Sequence, residues 1–412
     1  MHFISTILPA FLVGSVVAHP GHSVTEELQE RRDYLANAQV RDLSHCSEKL
    51  KARGIEARNI ARRERIAEAA RAKRGLKSKR DLSTVLAADH NATGLGYTAN
   101  SDPTSLFTSN ASCILTPDVT QGPYYVGGEY IRQDVRETQQ GIDTVIDYQV
   151  IDVETCEPVP NVYLEMWHCN STGVYSGVTA SGNGDSSDTG NLNNTFLRGI
   201  WPTDSDGVAQ FETTFPGHYT SRATHIHILI HTNATVYPNG TLGNEVTSSH
   251  VGQAFFDQDL IYLADEISPY SDNTQEITTN ADDSILSEET ATDGVDPMFE
   301  YTYLSDDLAD GLFAWIAFGI NTTESSSVTP AAFYYESGGV ENDIVDEPTT
   351  KTDLEVSDSG RLSYREAQAY TRNLKLKHLK QPTESVDHLS LTLSIAHYDI
   401  APYIFLIFTL IT

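Results

Sequence analysis

Two imidazoles, a guanidinium and a phenol fall within nine residues, Tyr219-Thr220-Ser221-Arg222-Ala223-Thr224-His225-Ile226-His227. The apolar run Ile228-Leu229-Ile230 that follows predicts a buried strand. Side chains alternate faces along a strand, so His225 and His227 point the same way, roughly 7 Å apart by strand rise. Ile226 and Ile228 then face the opposite way, into a core. Such a His pair can grip one metal ion. Tyr219 can add an oxygen ligand, which makes the metal hard and ferric rather than soft.

The surrounding residues narrow the choice of metal. No acid follows the His pair until Glu245, so a cupin-type Glu ligand and a two-His-one-carboxylate ferrous site both lack their carboxylate. A catalytic zinc site of His225, His227 and His231 stays open, because His231 falls on the same strand face. A second phenol, Tyr175, follows Trp167-His168-Cys169-Asn170-Ser171-Thr172-Gly173 at a strand end.

A rigid frame must hold these groups, and the middle of the chain supplies it. Asp143–Asp152, Val159–His168, Val208–Thr214 and Thr224–Thr232 alternate or run apolar with β-branched residues, separated by Gly, Asn, Asp and Pro. That pattern predicts an all-β sandwich. Leu308–Ile320 is read as including a short helix, and 272–296 as a polar, acidic loop. Upstream, Glu26–Lys79 is rich in Glu, Arg, Ala, Leu and Lys, with apolar positions at loose helical spacing. It predicts two or three helices broken near Gly54.

Several segments add a family resemblance. Thr116-Pro-Asp-Val-Thr-Gln-Gly-Pro-Tyr-Tyr125, Pro158–His168, Gly173-Val-Tyr175, Leu197-Arg-Gly199, Thr203–Gly207, Phe215-Pro-Gly-His-Tyr219 and Arg222–His227 stand in one order. That order resembles the intradiol ring-cleavage dioxygenases, which include the catechol and protocatechuate dioxygenases, and most of all their secreted fungal relatives. The resemblance covers roughly residues 90–345. It implies the β-sandwich of that family and one non-haem ferric ion, Fe(3+), held by Tyr175, Tyr219, His225 and His227. It implies a small aromatic diol and O2 as reactants and a muconate-type diacid as product. Tyr219 becomes the axial ligand that can accept a substrate proton, Arg222 the cation that stabilises anionic charge on the ring, and Gln253 a group that positions substrate or O2. Tyr219 precedes His225 by six residues, a shorter loop than in bacterial members, so their substrate ranges do not carry over. Two readings compete with this one: a secreted zinc hydrolase, and a β-sandwich binding module without catalysis.

Composition sets the compartment and excludes some partners. Met1–Ala18 reads as a secretory signal ending in Val16-Val17-Ala18. Sequons at Asn91, Asn110, Asn170, Asn193, Asn233, Asn239 and Asn321 fit a glycosylated, extracellular protein. The four cysteines suggest two disulfides, with Cys156–Cys169 and Cys46–Cys113 as one pairing among three. Residues 19–82 form a basic helical segment and a candidate propeptide ending near Lys79-Arg80-Asp81. Residues 83–345, the dioxygenase-like body, hold four basic residues (Arg132, Arg136, Arg198, Arg222) against 38 acidic ones. Such a body repels nucleic acid and anionic membranes. The remainder, 346–412, is polar and ends in thirteen apolar-rich residues, too short to span a bilayer as a helix.

Overall fold

In a computed structural model of the protein, the described residues are 29, 43–76, 112–114, 122–179, 189–232, 234–242, 247–248, 250–290, 295–324 and 326–342. The chain divides into two compact units, Met1–Asp346 and Glu347–Thr412, and every described residue lies in the first. The signal segment, the Lys79-Arg80 pair, the sequons at Asn91, Asn110 and Asn233 and the apolar C-terminal stretch lie outside the described residues.

The body is a sandwich of two sheets. One runs β1 (Ser112–Ile114), β11 (Leu312–Ile320), β3 (Asp143–Asp152) and β6 (Val208–Thr214), with β10 (Glu300–Tyr303) also paired to β11. The other runs β5 (Arg198–Pro202), β4 (Tyr163–Trp167), β7 (His225–His231) and β9 (His250–Phe255). Between them lies the main core. Ile146, Tyr148, Val150, Phe211, Ala314, Ile316 and Phe318 from the first sheet meet Leu164, Met166, Ile226, Ile228, Ile230 and Ala254 from the second. Each fully buried aliphatic or aromatic side chain here stabilises the fold by about 1.5–3 kcal/mol.

The stretch expected to include a short helix contains a 3₁₀ turn (Leu308–Asp310) and then the strand β11. Its sequence Leu-Phe-Ala-Trp-Ile-Ala-Phe-Gly-Ile is apolar at nearly every position because β11 is central and covered on both faces. Alternation, the usual strand signature, is therefore absent.

Both outer faces are covered. The outer face of the second sheet meets a small sheet of β14 (Gly338–Glu341), β13 (Ala332–Tyr335) and β2 (Val126–Gly127). Tyr124, Tyr125, Trp167, Tyr175, Tyr219, Leu229, Val251 and Ala332 pack together there. The outer face of the first sheet is covered by helix α2 (Ile55–Lys73), which follows the short helix α1 (Ser47–Ala52). Strong helix formers fill α2, Gly54 at φ 67° breaks it from α1, and Gly75 at φ 67° ends it, with Leu76 N donating to Arg71 O at 3.0 Å. The buried face of α2 is largely polar. Arg62 binds Asp147 through two bonds of 2.9 and 3.0 Å, Arg63 donates to the same carboxylate at 3.3 Å, and Asn59 Nδ2 is bonded to Gln149 Oε1 at 2.6 Å.

The cysteines depart from the expected pairing. Cys46 is joined to Cys156, tying the helical segment to the turn after β3. Cys169 is a buried free thiol whose Sγ donates to Gly217 O at 3.2 Å, and burial pushes that thiol up to about 12. Cys156 and Cys169 lie beyond opposite ends of β4, and an extended strand carries its ends apart. The side chain of Cys113 lies outside the described residues.

Candidate metal centre

β7 is central in its sheet, between β4 and β9, so ladders on both sides fix its register. His227 stands opposite Trp167 on one side and Gln253 on the other, and His225 stands opposite Phe255. Both imidazoles lie on the outer face, away from Ile226 and Ile228, as strand alternation requires. Tyr219 reaches them from the entering loop, which is tightened by a bridge between Tyr219 and Arg222 and by Ser221 at φ 81°. Tyr175 arrives after β4 through an Asx turn, where Asn170 Oδ1 accepts from Thr172 N at 3.1 Å and Val174 N at 3.0 Å. Gly173 lets the two Tyr segments touch: a Cβ there would stand 2.6 Å from His218 O and 3.1 Å from Tyr219 Cβ.

Four donor atoms converge. Tyr175 Oη lies 3.5 Å from Tyr219 Oη, Tyr219 Oη lies 3.3 Å from His225 Nε2, and His225 Nε2 lies 3.1 Å from His227 Nε2. Ligands about 2.0–2.2 Å from one small ion, at angles near 90–110°, stand roughly 3–3.5 Å apart. The spacing and the mixed O/N donor set therefore fit a single hard or borderline metal ion. His225 Nδ1 donates to Ala223 O at 2.6 Å, which leaves Nε2 bare and aimed inward. Burial, then Arg222, pushes the His225 imidazole down to about 3, so it is neutral, as a ligand must be.

The phenols show the converse. Burial raises both Tyr175 and Tyr219 above the usual phenol range, and Arg222 pulls Tyr219 back part of the way. Two adjacent buried phenols stay protonated without a cation, whereas a metal ion stabilises the phenolate strongly.

Arg222 stands beside this cluster in a defined clamp. Its Nε donates to Asp283 Oδ2 at 2.9 Å, and its Nη2 donates to Gln253 Oε1 at 2.5 Å. Burial alone would lower the guanidinium pKa, but Asp283 and Tyr219 outweigh it and hold the group charged. Aromatic walls close the site. Tyr124 stacks on Tyr175 with centroids 4.4 Å apart, and Trp167 stacks on His227.

The predicted residues Tyr175, Tyr219, Arg222, His225, His227 and Gln253 are thus brought into one network. His231 is engaged elsewhere, bonded to Glu165 at 2.6 Å. Among the described residues no His, Cys, Asp or Glu ligand atom joins His225 and His227 to complete a group of three within 4.8 Å. His168 bonds Cys169 O and Thr213 Oγ1, and His218 bonds Gln275 O. Asp283 escaped the sequence reading because it sits in a stretch rich in acids. Its one signal was an Asp just ahead of a helical turn, an N-cap pattern.

Residues 120–295 match the model of a family described as Dioxygenase. No curated protein sequence matches the chain. Among solved structures, the chain is similar to an intradiol ring-cleavage dioxygenase from Tetranychus urticae, at 29% identity over 52% of this chain and 98% of that one, with a TM-score of 0.42. It is also similar to hydroxyquinol 1,2-dioxygenase from Pseudomonas putida DLL-E4 (19%, 50% of this chain and 66% of that one, TM-score 0.31). A third is catechol 1,2-dioxygenase from Pseudomonas arvilla C-1 (18%, 50% and 62%, TM-score 0.30). The family match covers the strands and loops that carry the Tyr and His cluster, so this stretch of the β-body is similar to the Dioxygenase family.

Proposed function

We propose that the protein is a secreted enzyme that binds one ferric ion through Tyr175, Tyr219, His225 and His227. With O2 it cleaves a catechol-type ring between the two hydroxyl-bearing carbons. Both oxygen atoms enter a muconate-type diacid, so the reaction needs no reductant. The convergence of the two phenol oxygens and two imidazole nitrogens, at 3.1–3.5 Å from one to the next, carries the reading. Ferric iron would supply Lewis acidity that draws a catechol into its dianion and opens the ring carbons to O2.

The chain's own residues supply the rest. Tyr219 Oη, as a phenolate, is a base for a catechol hydroxyl proton. The Arg222 guanidinium faces charge that develops on the substrate, and its clamp by Asp283 and Gln253 removes any reorganisation at that moment. Tyr124 and Trp167 back Tyr175 and His227 with apolar rings, which keeps the donor cluster dry on that side. Export draws support from the Cys46–Cys156 disulfide, a bond of oxidising compartments.

Metal analysis with a visible spectrum tests the reading. About one iron per chain, a red-brown colour that changes on anaerobic addition of catechol, and O2 uptake with catechol are expected. Colourless, zinc-loaded protein would point to the hydrolase instead. Iron-free protein that binds catechol without O2 uptake would point to a binding module.

A further inference from the structure

We propose that Asp283 is a positioning residue for ring cleavage: it aims the Arg222 guanidinium at the metal-side pocket and acts through Arg222 alone. This rests on the dioxygenase reading of the site.

Asp283 comes from a segment 61 residues beyond Arg222, yet its fully buried carboxylate is enclosed by four donors. Oδ2 accepts from Arg222 Nε at 2.9 Å and from Ala223 N at 2.7 Å. Oδ1 accepts from Ile285 N at 2.8 Å and Leu286 N at 2.9 Å, the first turn of the helix Ser284–Glu289. One oxygen is thus anchored in its own segment, and the other grips both the side chain of Arg222 and the backbone of the next residue. Ala223 O in turn accepts from His225 Nδ1, so the same short stretch carries the guanidinium and orients an imidazole.

Gln253 completes the alignment. It lies opposite His227 in the ladder, and its Oε1 takes Arg222 Nη2. Both bonds use the Nε–Nη2 edge of the guanidinium, which sets the plane of the group and leaves Nη1 outside the clamp. Held from one side only, a side chain with so many rotatable bonds would sample several positions.

The decisive experiment compares Asp283→Asn, Arg222→Ala and the double variant, all as iron-loaded full chains. Asp283→Asn is expected to keep the iron content, the visible band and the anaerobic spectral change with catechol, while kcat falls by about ten- to a hundredfold with little change in KM. The double variant is expected to be no slower than Arg222→Ala. Unchanged kcat in Asp283→Asn would overturn the proposal, as would a double variant whose losses multiply. Loss of iron in step with activity would also overturn it, because Asp283 would then maintain the ligand loop and not the guanidinium. If Asp283→Asn does not accumulate folded, Asp283→Glu alone and on the Arg222→Ala background supplies the same comparison. Absence of iron or of ring cleavage in the wild type would instead defeat the dioxygenase reading itself.

Discussion

The indole of Trp167 lies parallel to the imidazole of His227, with centroids 4.8 Å apart and planes 1° from each other. The two residues are cross-strand partners of β4 and β7, so a backbone ladder sets this stacking. At the Cε1 corner of the same imidazole stands Gly122, at φ +87°, where a Cβ would come within 2.9 Å of the ring. We expect Gly122→Ala to displace His227 and to lower iron content at least severalfold while the β-body stays folded. Iron analysis and far-ultraviolet circular dichroism on one sample check this, and full iron occupancy in the variant would refute it.

Tyr219 is proposed as a metal ligand and as the base for a substrate proton. Tyr219→Phe removes one phenol oxygen and leaves the ring, so packing against Tyr124 and Tyr175 persists. We expect weaker visible absorption and turnover slowed by roughly a hundredfold, in line with the loss of a positioned proton acceptor. A spectrum identical to wild type would show that Tyr219 is not a ligand.

The substrate should be uncharged beyond its diol. Each arginine of residues 83–345 is already engaged by protein groups, and Arg222 is the one proposed to face the charge of the diol itself. Arg132 bonds Glu137, Arg136 bonds Asp134, Arg198 donates to Ser176 O, and Arg222 bonds Asp283. No lysine lies in that stretch to meet a carboxylate. Catechol is expected to show a larger kcat/KM than protocatechuate; steady-state O2 uptake with both substrates decides it.

Acid should weaken the face beneath α2. Burial alone would raise the Asp147 carboxyl, but Arg62 and Arg63 hold it below the usual carboxylate range. A depressed carboxyl stabilises the fold fully above the unfolded value of about 3.9, and that stability is lost as pH falls through the folded value. Asp147→Asn takes the bidentate anion from the buried Arg62 guanidinium, so a loss of about 3–5 kcal/mol is expected at neutral pH. The variant should also lose less on going to pH 3 than wild type does. Urea midpoints at pH 7 and pH 3 measure both effects.

Helix α2 should remain with the body after a nick between 77 and 111. The Cys46–Cys156 bond spans that stretch from outside it, and the Arg62–Asp147 pair adds a second hold. Limited proteolysis there is expected to yield two fragments that separate on a gel only after reduction. Separation without reductant would show that the segment is released as a propeptide.

Much of the centre was legible along the chain. His225 and His227 share a face because a strand has a period of two, and Tyr175, Tyr219 and Arg222 stand in motifs whose order carried the family resemblance. The strands β3, β4, β6 and β7 showed in their β-branched, alternating residues for the same local reason. What stayed hidden depends on residues distant in sequence. The strand nature of Leu312–Ile320 came from neighbours on both faces, which erase alternation. The partner of Cys46 followed from where α1 and α2 dock, which spacing between cysteines does not encode. Asp147 and Asp283 read as two acids among many, and burial opposite arginines 85 and 61 residues away made one a support of the helix and the other a clamp on Arg222. Local sequence specifies which face a side chain takes, because backbone geometry repeats every few residues. Only the folded chain specifies what that face meets, because burial and ion pairing depend on segments that the backbone brings together from afar.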